Sequence, residues 1–107
     1  MGDKQTDILD RLFRALASEP RRKILRLAAG ERSAVTQFVS RLKMSQPAVS
    51  KHVSVLVDAE LLSKTREGRH RWCRLNPYAF EPVCASIEDL RAECPIPRRR
   101  RAGRSTG

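Results

Sequence analysis

Met44-Ser45-Gln46-Pro47-Ala48-Val49-Ser50-Lys51-His52-Val53-Ser54-Val55-Leu56 is the stretch on which the reading of this chain turns. Ser45 suits an N-cap, because its hydroxyl can accept from a free amide of the first helical turn. Pro47 falls inside that turn, where a missing N–H costs nothing. Val49, Val53, Leu56 and Val57 recur at helical spacing and make one apolar stripe. The other face holds Gln46, Ser50, Lys51, His52, Ser54 and Asp58, side chains that are small, polar or rich in hydrogen-bonding groups. Such a face fits the DNA major groove: Gln reads adenine bidentately, Lys reads guanine or binds phosphate, and Ser serves either strand. The same pattern also fits an ordinary amphipathic surface helix, so the flanking sequence must decide.

Upstream, Thr36 to Leu42 reads as a short helix, with Thr36 as N-cap, Val35 as a staple, and Phe38, Val39 and Leu42 inward. Lys43-Met44 then makes a tight turn. Two short helices so joined, the second with a base-reading face, form a helix-turn-helix. Without a glycine there, Lys43 is expected to be left-handed at a cost of roughly 1 kcal/mol.

Downstream, Leu61 to Arg66 and His70 to Leu75 read as strands, with Glu67-Gly68-Arg69 as the hairpin turn. Lys64, Arg66, Arg69, Arg71 and Arg74 crowd this hairpin, which makes it a wing able to track the phosphate backbone or enter the minor groove. A basic edge hairpin charged only against aggregation is the alternative. Trp72 is expected to pack at the hairpin base.

The remaining helices flank this unit. Asp7 to Ala17 carries a broad stripe of Ile8, Leu9, Leu12, Phe13 and Leu16, wide enough to meet both its own core and a second subunit. A second helix begins around Glu19-Pro20, buries Ile24, Leu25, Leu27 and Ala28, and stops at Gly30, expected in a left-handed conformation. Its Arg21, Arg22, Lys23 and Arg26 read as a solvated face. Asn76-Pro77 opens the last helix, whose apolar side is Phe80, Val83, Cys84, Ile87 and Leu90.

The 107 residues carry 22 Lys and Arg against 12 Asp and Glu, a formal charge of +10. From Pro95 to Gly107 there are five Arg and no acid, which reads as a disordered basic tail. Without those five, 17 basic residues face 12 acidic ones, so the domain is basic in its own right. That balance points to nucleic acid. The organisation expected is a flexible stretch over 1–7, one domain over 8–94, and the tail over 95–107. No apolar run is long enough to span a bilayer and no signal peptide is recognisable, so a soluble, cytoplasmic protein is expected.

Three cysteines, Cys73, Cys84 and Cys94, are an odd number without clustered spacing, which argues against a disulfide framework. Cys84 and Cys94 on the last helix could serve a redox or soft-metal sensor across a two-fold axis; packing is the plainer explanation. No paired nucleophile and base, phosphate-cradling loop or metal constellation is present, so no enzyme, metal site or cofactor is expected. A non-specific protein coating DNA or RNA shares the charge, but the scarcity of aromatics leaves no stacking platform for it.

The residues Ser45 to His52 resemble the corresponding segment of the ArsR/SmtB family of winged-helix repressors. Leu12-Phe13-Arg14-Ala15-Leu16-Ala17 and Glu19-Pro20-Arg21-Arg22-Lys23-Ile24-Leu25 resemble its first two helices. Glu67-Gly68-Arg69 with Arg74-Leu75-Asn76-Pro77 resembles its wing and the start of its last helix. The resemblance covers about Ile8 to Leu90. It implies a mainly α fold with a small β-hairpin wing, and a homodimer joined through first and last helices on palindromic double-stranded DNA, usually as a repressor. The implied interface falls on Leu9, Leu12, Phe13 and Leu16 with Val83, Cys84, Ile87 and Leu90. Many family members hold metal through a thiolate pair where this chain has Ala34 and Thr36, or through His and carboxylates on the last helix, which here has no His. A metal response is therefore not expected, and no small-molecule or redox effector is identified. Gln46, Ser50 and Lys51 are expected to read bases, with Ala48 allowing close approach. Ser45 and Ser54 should position phosphates, His52 lies toward the flank, and Arg66, Arg69 and Arg71 should form the wing contact.

Overall fold

The computed structural model describes residues 4–95, and side chains from Asp7 onward. Helix α1 (Lys4–Leu16) begins three residues before the expected Asp7, so part of the stretch read as flexible is helical. Leu12 and Ala15 on its inner side are buried. Ser18 then caps α2 (Glu19–Gly30), its hydroxyl accepting from the Arg21 amide at 3.4 Å. Gly30 is helical and not left-handed, contrary to expectation; the chain leaves through Glu31 in an extended conformation, φ −156°.

Next comes an element the sequence did not announce. Ser33–Ala34 forms a two-residue strand, β1, too short to show any period. Helix α3 (Val35–Leu42) follows directly. Its N-cap is Ala34, not Thr36, and Val35 is already helical and buried. Ala34 has no capping oxygen, so the Gln37 amide reaches back and accepts from the Ala34 N–H at 2.6 Å. Lys43 is left-handed as expected, φ 55° and ψ 45°, and its N–H bonds the Val39 carbonyl at 3.0 Å. Ser45 caps α4 (Gln46–Asp58) by accepting from Ala48 N–H at 3.3 Å.

Strands β2 (Leu62–Glu67) and β3 (His70–Leu75) form the hairpin, with Glu67 opposite His70 and Gly68 at φ 61° in the turn. The sheet order is β1-β3-β2, all antiparallel, with Ser33 opposite Cys73 and Ala34 opposite Trp72. Asn76 opens a 3-10 turn (Pro77–Phe80) before α5 (Glu81–Glu93), which therefore starts later than Pro77.

The core lies where these elements meet. Phe38, Ile24, Val49, Leu56, Leu61 and Cys73 are fully buried in it. Leu12 and Val83 belong to the same core, at 2% and 6% exposure, and so offer no surface to a second subunit. Leu9 and Leu16 are half-buried against it. Phe13, Ile87 and Leu90 stay exposed, together with Ile8 and Cys84.

Candidate nucleic-acid interface

Helix α4 presses Val49, Val53 and Leu56 into the core. A helix advances about 100° per residue, so Pro47, Lys51, Ser54 and Asp58 centre on the outward side. Gln46 and Ser50 lie toward one flank, and Ala48 and His52 toward the other. Gln46, Lys51 and Ser54 are exposed; Ser50, Ala48 and His52 are half-buried. Among the described residues, the side chains of Gln46, Ser50, Lys51 and Ser54 make no hydrogen bond within the fold. Their donors and acceptors are free for a partner. Ser45 differs, since its hydroxyl already accepts from Ala48.

His52 differs more. Its Nδ1 lies 3.1 Å from Arg21 Nη1, and burial followed by the Arg21 charge holds its pKa below the ordinary 6.5. Arg21 in turn donates through Nε to the Ala15 carbonyl at 2.8 Å and through Nη2 to the Arg14 carbonyl at 3.0 Å. Arg22 donates to the Leu16 carbonyl at 2.8 Å. The two arginines thus satisfy the carbonyls that the end of α1 leaves open. The sequence reading of that cluster as a solvated face missed this, because the acceptors belong to the preceding helix. A shallow groove along α4 has Arg21, Pro47, Ser50, Lys51, His52 and Ser54 on its walls.

On the wing, Arg66 stands directly opposite Arg71, and Arg69 occupies the turn; all three are exposed. Among the described residues none of them joins an ion pair. Glu67 is taken by Arg32, which approaches within 2.9 Å. The Arg32 guanidinium also lies 4.1 Å from the Trp72 ring centre, and His70 flanks the same ring at 5.6 Å. Trp72 is therefore half-buried under a cation, and is no platform for bases. Arg32 braces one face of the hairpin, while Lys64, Arg66 and Arg71 occupy the other.

Cys73 is buried, which pushes its thiol pKa up against the opposing pull of Lys64 and Arg71; Cys84 and Cys94 are exposed. Among the described residues no group of His, Cys, Asp and Glu could hold a metal ion, and no helix is long and apolar enough to cross a membrane. The basic run after Pro95 lies outside the described residues.

Residues 18–64 match the family model described as bacterial regulatory protein, arsR family. The transcriptional repressor SdpR of Bacillus subtilis is 31% identical over 68 residues, spanning 64% of this chain and 76% of that protein. The crystal structure of an ArsR family transcriptional regulator superposes with a TM-score of 0.78 at 25% identity, covering 86% of this chain and 94% of that one. A homodimeric winged helix-turn-helix DNA-binding domain from Mycobacterium bovis superposes at 0.67 with 22% identity, covering 94% and 95%. With an exposed polar helix, a basic wing and these relatives, the chain belongs to the ArsR family of bacterial regulatory proteins, DNA-binding transcriptional regulators rather than enzymes.

Proposed function

We propose that this protein is a sequence-specific transcriptional repressor that binds a palindromic operator as a homodimer and needs no metal signal. The observation that carries the reading is the row of unengaged polar groups on Gln46, Ser50, Lys51 and Ser54, beside a wing whose arginines have no acidic partner among the described residues. Gln46, Ser50 and Lys51 read base edges; Ser45 and Ser54 position the backbone; Ala48 lets the helix approach. Arg66, Arg69 and Arg71 bind phosphate or the minor groove. Two copies joined through α1 and α5 place two such helices for a two-fold operator. Ala34 and Thr36 at the start of α3 offer no thiolate, which supports a signal other than metal.

The test is a titration on the protein's own upstream DNA and on a scrambled duplex of equal length, across salt and with a chelator. A specific regulator prefers its site by roughly 10³-fold or more. Lys51→Ala should lose that preference by about 1–3 kcal/mol, whereas Arg69→Ala should weaken both duplexes alike and flatten the salt slope. Equal losses for both variants would refute this division of labour. No preference for any duplex, including one selected from random sequence, would leave a non-specific coating protein.

A further inference from the structure

Arg21 connects two helices with different tasks. Through Nε and Nη2 it holds the Ala15 and Arg14 carbonyls at the end of α1, and through Nη1 it meets His52 Nδ1 on α4. A guanidinium has donors only, so His52 Nδ1 must accept. The ring is then neutral and its proton sits on Nε2. A proton on Nδ1 would point at a cation 3.1 Å away, and the lowered pKa of His52 agrees in direction. His52 lies on the flank of the reading helix and shares the α4 groove with Lys51 and Ser54.

We propose that Arg21 is a positioning residue for DNA recognition: anchored on the end of α1, it fixes His52 in the tautomer whose Nε2–H is the donor offered to the operator. The inference rests on reading α4 as the DNA-facing helix. It gives His52 one polarity, a donor for a phosphate oxygen or a base acceptor, where an untethered imidazole would present either a donor or a lone pair. It also ties the donor's position to α1, so a shift of α1 moves the ring.

The chain has two histidines, His52 and His70, so long-range nitrogen–proton NMR of the full protein can resolve each ring's tautomer. His52 should carry its proton on Nε2 in the wild type and populate both tautomers in Arg21→Met. In the titration above, Arg21→Met should cut the preference for the specific duplex by about tenfold and change binding to the scramble far less. His52→Gln, whose amide N–H stands near the Nε2 position, should keep most of the preference, while His52→Asn and His52→Ala should lose it. These three leave the Arg21 bonds to α1 in place, and so decide the matter if Arg21→Met does not fold. A proton on Nδ1 in the wild type, equal loss on both duplexes in Arg21→Met, or full preference in His52→Ala overturns the proposal. A wild type without preference for any duplex overturns the reading of α4 instead, before any variant is compared.

Discussion

Lys43 holds the turn between α3 and α4 in a left-handed conformation that costs a residue with a β-carbon about 1–2 kcal/mol. A Lys43→Gly variant relieves that strain but gives the unfolded chain more freedom, which returns part of the gain. The expected net effect is a stabilisation of up to about 1 kcal/mol, measured as a higher midpoint in urea; a lower midpoint would mean that the Lys43 side chain contributes more than its backbone costs. His52 makes a prediction of another kind. In the unfolded chain it titrates near 6.5, whereas burial and Arg21 favour its neutral form in the fold. As pH drops, the unfolded state takes up the proton first. The contribution of His52 is therefore present above about 6.5 and is lost as pH falls through the lower folded value. The melting temperature of the wild type should fall more steeply over that range than that of His52→Gln; parallel curves would remove His52 from the account. Both residues show the limit of reading a string of letters. The strain at Lys43 follows from local geometry and was foreseen; the partner of His52 lies 31 positions away on another helix.

The hairpin sets stability against binding. Arg66 and Arg71 face each other across β2 and β3, an arrangement that costs roughly 0.2–1 kcal/mol in the free protein. Arg66→Thr should raise the melting temperature slightly, weaken DNA binding and reduce the salt slope by about one. A variant that loses stability instead would show that Arg66 contributes packing through its aliphatic stem. Of the elements, α4 and the hairpin were legible because their caps, their turn glycine and their periodicity are local signals. The cap of α3 lies two residues before Thr36, at Ala34, because Gln37 and not Thr36 supplies the oxygen that bonds the first free N–H. Strand β1 was missed because two residues carry no pattern. The bracing of the wing by Arg32 was hidden for a similar reason, since Trp72 lies forty positions along the chain.

At the level of the whole molecule, the proposed dimer draws on the apolar side chains left over by the core. Ile8, Phe13, Ile87 and Leu90 are 46%, 41%, 44% and 67% exposed, all on the first and last helices. The sequence stripe named these helices but could not separate Leu12 and Val83, which the protomer consumes, from Phe13 and Leu90, which it leaves outside. Leu90→Asp should therefore give a folded monomer by sedimentation and reduce affinity for a two-fold operator far more than for a single half-site. An unchanged dimer would move the interface elsewhere. The short pairing of Ser33 and Ala34 with Cys73 and Trp72 has a consequence for dynamics. It closes a loop of about forty residues that contains the whole of α3 and α4. The amide protons at the two ends of that loop are then expected to exchange with solvent together, in one cooperative opening. Loosening β3 would therefore release the start of α3 in the same event, and the helix proposed to read DNA would lose its support without being touched itself.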